Sequence, residues 1–250
     1  MSLLPFRAVG SGVMKAARTD SGGPGGEVFA GIPDEGLAFL EDLEEHNTKE
    51  FFEPNKQLFR DRLQAPFEAL LASASGRMEA AGIGVGPPKV FRVHRDLRFS
   101  KDKTPYKTNM AGYVRHRPAG GADADTGYYV SFAPSGLYVG GGLYRPARPR
   151  LERVRAAVAS GAEGPALAAL LAEAAGHGLE VGLDPLQRVP KPYPADHPRA
   201  DLLRARSLVL GRHHQRGPWL VTTEVLDRLV EDWRRIAPLH RWLDRCLTGP

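Results

Sequence analysis

Three short runs of strand-forming residues lie between two long helical stretches, and that order limits how the chain can fold. Met110 to His116, Tyr128 to Ala133 and Leu137 to Tyr144 have the length and composition of strands. Pro134-Ser135-Gly136 is a turn signal between the last two, so these pair as an antiparallel hairpin. Lys89 to Arg95 alternates, with Phe91 and Val93 on one face and Arg92 and His94 on the other, and reads as a further strand after the glycine-proline connector GIGVGPPK. Leu179 to Leu183 reads as a short strand.

The flanks read as helices. Asp34 can cap a helix over Glu35 to Glu45, with Leu37, Leu40 and Leu43 on one face. Asn47 with Glu50 has the form of a capping box for the next region, which carries Phe51, Phe52, Leu58, Phe59 and Leu63. Pro54 and Pro66 suit first-turn positions, so this region divides into two or three helical pieces ending at Gly82. Downstream, Pro149 opens a helix through Ala159, and Gly164 to Ala175 forms another. The five prolines of PLQRVPKPYPADHP keep that stretch extended or looped. Thr222 or Thr223 caps a last amphipathic region to Leu247, bent at Pro238. Helices, then a strand meander, then helices imply an α+β fold with a mostly antiparallel sheet in a single domain. Residues 1 to 27 carry six glycines and two prolines without periodicity and read as a disordered tail, leaving 28 to 250 as the domain.

Cysteine and charge narrow the function classes. Cys246 is the single cysteine, which excludes an internal disulfide and a cysteine-based zinc site and suits a reducing, cytoplasmic compartment. No apolar run approaches the roughly 18 residues a membrane helix needs, so no membrane partner is expected. Formal net charge is +5, and the segment from Lys89 to Lys107 alone carries seven basic residues against two acids. Its local excess equals that of the whole chain. A second basic stretch, Arg199 to Arg216, is cancelled by acids elsewhere.

FRVHRDLRFSKDKTPYK, from Phe91 to Lys107, is therefore the leading site. Thr104-Pro105 favours a turn that folds Tyr106 and Lys107 back beside the strand. Guanidinium forks suit carboxylate or phosphate, and ammonium groups add point charges. The candidate anion-binding residues are Arg92, Arg95, Arg98, Lys101, Lys103, Tyr106 and Lys107, with Asp102 in support. Asp96 is the candidate general base or metal ligand; equally, Asp96 and Asp102 can simply brace the arginines. In GLYVGGGLYRP, Gly140, Gly141 and Gly142 mark either tight packing or close approach of a ligand or of the Arg92 loop, and Tyr144 can line the same cleft. Other features are weaker. ADADTG, Ala122 to Gly127, lacks the ligand set of a calcium loop and reads as a hairpin tip. His213-His214 lacks the spacing of a helical metal pair, and Asp196-His197 suits a capping or loop role. No metal site is expected.

FRVHRDLRFSKDKTPYKTN, together with YYVSFAPSGLYVGGGLYRPA, resembles the bacterial and fungal family named domain of unknown function 2461. HNTKEFFEPNKQLF and PKPYPADHPRADLLRARS match its layout, and the resemblance spans roughly residues 29 to 245. The Arg-Asp-x-Arg-Phe core is the specific part; where the family usually has Trp, this chain has Phe51. The resemblance implies a single α+β domain with Arg92 to Tyr106 as hallmark, and no activity or cofactor. Three readings stay open: binding of a nucleic acid, nucleotide-like or other anionic ligand; an enzyme for an anionic substrate, with arginine clamps and Asp96 as base or metal ligand; and a structural or protein-interaction domain.

Overall fold

The computed structural model describes residues 29–98, 100–118 and 126–248. The expected tail at 1–27, Phe99 and most of ADADTG lie outside them. Six strands form one sheet: β1 (Val85–Val90), β2 (Met110–His116), β3 (Thr126–Ala133), β4 (Gly136–Leu143), β5 (Glu180–Gly182) and β6 (Leu208–Gln215). Their order is β1-β2-β3-β4-β6-β5, and every neighbouring pair is antiparallel. Helices α1 (Asp34–Glu45), α2 (Lys49–Phe59) and α3 (Ala65–Ala80) precede the sheet, with a π-helical turn at Arg60–Gln64 between the last two. After the meander come α4 (Arg148–Ala159), α5 (Glu163–Gly176), the short α6 (Ala200–Leu203) and α7 (Glu224–Thr248). The fold is α+β around one hydrophobic core.

Three local readings change. The first strand is Val85–Val90, not Lys89 to Arg95, so the glycine-proline connector is itself part of the sheet. Proline lacks the N–H a ladder requires, so its place is an edge strand or a bulge. Here Pro87 and Pro88 have both: β1 is an edge, and its register shifts between Val85 and Pro88. β6 lies within the second basic stretch, and pairs with β4 from Gly136↔Gln215 to Leu143↔Leu208. The basic and polar residues of that strand are partnered, for Arg212 and His214 meet Asp232 of α7. The N-cap of α2 is Thr48, whose Oγ accepts from Phe51 N, which frees Asn47 for another task. Pro54 lies inside α2, whereas Pro66 takes the first turn of α3.

Alternation divides the sheet into two faces. Val114, Val130, Val139 and Leu210 mark an inner face that is fully buried. α3 and α7 pack on it. Gly112 of β2 lies against Phe67 and Leu71, and Tyr128 of β3 rests on Trp233 and His240. Full burial of a large apolar side chain contributes about 1.5–3 kcal/mol, so α7, with Trp233 on Tyr128 and Ile236 over Gly141 both completely covered, is bound firmly to the sheet. The opposite face carries Tyr113, Tyr129 and Tyr138, each partly exposed, as the division of Tyr128 and Tyr129 between core and surface implies.

Candidate functional site

The segment from Phe91 to Asn109 leaves β1 and returns as β2. The Thr104-Pro105 turn folds it back as expected. Arg95 N donates to Pro105 O (2.9 Å), Lys107 N donates to Val93 O (2.8 Å), and His94 and Tyr106 form an antiparallel bridge. Asn47, between α1 and α2, holds this loop to the helices. Its Nδ2 donates to Tyr106 O (3.0 Å), and its Oδ1 accepts from Tyr106 N (3.0 Å). The Tyr106 ring stacks on Phe52 at 4.1 Å and is 1% exposed. Tyr106 is thus an anchor in the core, turned away from any ligand. The sequence offers Asn47 only as a cap of the next helix; its contact with Tyr106 spans 59 residues, so only the fold reveals it.

The arginines divide into two groups. Arg95 pairs with Asp102 and donates to Thr104 Oγ1 (2.6 Å). Asp102 also accepts from Thr104 N (3.0 Å) and Oγ1 (2.8 Å). Arg98 forks onto Asp96, Nε to Oδ1 at 2.9 Å and Nη2 to Oδ2 at 2.6 Å. These bonds favour the ionised carboxylates. The Arg98 side chain, then its backbone N–H, hold Asp96 down to a pKa of about 2. The Thr104 N–H, then Arg95, hold Asp102 down to about 2. Lys103 donates to Leu97 O (3.1 Å).

Arg92 and Lys101 are exposed, and their side chains make no hydrogen bond or ion pair to a described residue. Lys107 donates to Arg92 O (3.0 Å), and its ammonium sits 5.7 Å over the Phe91 ring. Burial, and then the positive charge of Arg92, lower the Lys107 pKa.

Residues 35–242 match a family of conserved hypothetical proteins, DUF2461. The chain belongs to that family. No curated protein and no solved structure matches it.

Elsewhere in this DUF2461 protein, the glycine run does not adjoin the Arg92 loop. A Cβ on Gly140 would meet the Tyr138 ring (3.0 Å to Oη), and one on Gly141 would meet Gly127 O (2.9 Å) and Ile236 (3.0 Å). Gly142 has φ +133 and lies against the backbone of Leu208 and Val209. Tyr144 follows Leu143, whose partner Thr126 marks the sheet end away from Met110 and the loop. It is exposed, with the Arg145 guanidinium 5.6 Å over its ring, and Arg145 pairs with Asp184 at 3.1 Å. His197 Nδ1 accepts from Arg199 N (3.0 Å), a loop role. Cys246 packs against the core, and burial pushes its thiol up to about 12.

A second polar cluster gives no sign in the sequence. His116 bonds Asp244 at 2.8 Å and stacks on His240 at 4.7 Å, and the Tyr128 ring lies 4.4 Å from His240. Burial, then the nearby His116, lower the His240 pKa well below its usual range. A groove of about 570 Å³ between α3, α5 and α7 has mixed charge, from Arg77, Arg234, Asp227 and Glu231. Among the described residues, no group of three or more His, Cys, Asp or Glu is placed to hold a metal ion, and no helix is long and apolar enough to cross a membrane.

Proposed function

We propose that this DUF2461 protein binds a phosphate-bearing or other anionic partner at Arg92 and Lys107, with Lys101 and Lys103 on the same loop. An imbalance of charge supports this reading. Arg95 and Arg98 are paired with their own aspartates, whereas Arg92, though near Asp96, forms no ion pair with it and adds to the lowering of the Lys107 pKa that burial causes. Like charges held together disfavour the charged forms, and an anion between them relieves that repulsion. Lys107 uses one donor on Arg92 O, and an ammonium has three. The exposed Arg92 guanidinium offers a planar fork suited to phosphate.

Asp96 and Asp102 then shape the loop by holding Arg98 and Arg95. A general base works best with a pKa near the operating pH. Asp96, held to about 2, therefore suits bracing better than proton abstraction, and the enzyme reading has less support. A purely structural role accounts for Lys107, which ties Arg92 O and Phe91, but not for the exposed Arg92 guanidinium.

Titration with inorganic pyrophosphate, followed by calorimetry and backbone NMR, tests the reading. Saturable binding is expected, with shifts confined to the 91–107 loop. Arg92→Ala and Lys107→Met should each weaken binding roughly tenfold, the range for one charge-assisted hydrogen bond. Absence of saturable binding, or binding that survives both substitutions, overturns it.

A further inference from the structure

Aromatic rings cross the outer face of the sheet in sequence. Phe91 lies 6.4 Å from Tyr129, Tyr129 lies 5.9 Å from Tyr138, and Tyr138 lies 4.6 Å from His213, centroid to centroid. The register sets the last three on the adjacent strands β3, β4 and β6. Glycines make room beneath them. A Cβ on Gly140 or on Gly211 would meet the hydroxyl end of the Tyr138 ring, and one on Gly127 would meet the Tyr113 ring at 2.5 Å. The tyrosines therefore lie low across positions without side chains, as aromatics do over cross-strand glycines. That accounts for Gly140 in the glycine run better than a backbone ligand site does. Tyr113, Tyr129 and Tyr138 stay partly exposed, and His213 is exposed.

Charge on this face is one-sided. Lys89, opposite Tyr113 in the register, shares it, and Arg92 and Lys107 adjoin its Phe91 end. Among the described strand residues of this face there is one carboxylate, Glu180 of β5, opposite Gly211 and near enough to act on the Tyr138 hydroxyl. Aromatic rings alone would suit a sugar. Rings that end at a cluster of cations, on a face nearly free of acids, suit a polyanion whose own units are flat.

We infer that the outer face binds single-stranded nucleic acid, its bases stacking on Tyr129, Tyr138 and His213 and its phosphates meeting Arg92 and Lys107. The inference rests on the anionic-partner reading of the loop and names the partner. Base–aromatic stacking tolerates any sequence, because every base has a π-face. Certain four-stranded sheets that bind RNA stack two or three bases on their aromatic side chains. A duplex keeps its base faces stacked on one another and is a poor competitor.

Fluorescence anisotropy with a labelled oligothymidine of about twelve nucleotides, set against an abasic deoxyribose-phosphate chain of equal length, separates stacking from charge. The thymidine chain should bind at least about tenfold more tightly than the abasic one. Tyr129→Leu and Tyr138→Leu should each cost about tenfold on the thymidine chain only, while Tyr129→Phe and Tyr138→Phe keep wild-type binding. Arg92→Ala and Lys107→Met should weaken both chains. Equal binding of the two chains, unaltered binding by the folded leucine variants, or tighter binding of the matching duplex or of a neutral oligosaccharide refutes stacking while leaving the anionic reading intact. Failure of both chains to bind refutes the nucleic-acid inference, and the pyrophosphate titration then decides the anionic reading by itself. Should a leucine variant fail to fold, Phe91→Leu and His213→Ala make the same comparison.

Discussion

Asn47 sets the position of the candidate loop with two hydrogen bonds to the backbone of a single buried residue, Tyr106. Removing the carboxamide leaves an N–H and a C=O without partners in a partly buried place. Such orphaned groups cost more than the net value of the bonds themselves. Asn47→Ala should lower the unfolding free energy by about 1–3 kcal/mol in urea titrations and speed amide exchange at Tyr106 and Lys107. Asn47→Asp, which accepts from Tyr106 N but sets an anion against Tyr106 O, should recover only part of that. A loss below about 0.5 kcal/mol for both would show that Phe52 stacking alone anchors the loop. The charged residues of this loop are legible in the sequence because charge can be counted. Their pairing is not: Arg95 reaches Asp102 and Arg98 reaches Asp96, and only the folded loop decides which cations remain open.

Strands built from local alternation and closed by a turn were readable, and β2, β3 and β4 lie where their sequences place them within a residue or two. β1 and β6 depend on distant information. Prolines in β1 are acceptable because no further strand among the described residues pairs with that edge, and polar residues in β6 are acceptable because α7 supplies Asp232. Glycines follow the same logic, and position decides the sign of a substitution. Gly211→Ala drives a methyl into the hydroxyl end of Tyr138, which must lift off Gly140 as well. Overpacking of this kind costs about 1–3 kcal/mol. Gly76, exposed in α3 with nothing within 4 Å, should instead gain about 0.5–1 kcal/mol on change to Ala. Thermal unfolding of the two variants should move in opposite directions; a neutral Gly211→Ala would show that Tyr138 has room to rise.

The joint between α7 and the sheet makes the whole molecule sensitive to acid. His240 is completely buried against His116, Tyr128 and the backbone of Gly127 and Gly141, while Asp244 bonds His116 and acts with Arg241 on Tyr128. Its folded pKa lies well below 6.5, so the unfolded chain takes up a proton that the folded chain refuses. The stabilising contribution is complete above pH 6.5 and is lost as pH falls toward the folded value, by at most about 1.4 kcal/mol per pH unit. His240→Leu should flatten the fall in stability between about pH 7.5 and pH 5, measured by urea titration at each pH. An unchanged slope would assign the acid sensitivity to other groups. The two borders of the sheet have a different consequence for the molecule. One is β1, with Pro87 and Pro88, and the other is β5, only three residues long. Neither gives a visiting chain a row of backbone donors and acceptors long enough to zip onto. Donor-strand exchange and fibre growth from this sheet are therefore blocked at both borders, and a partner that uses the sheet must come broadside.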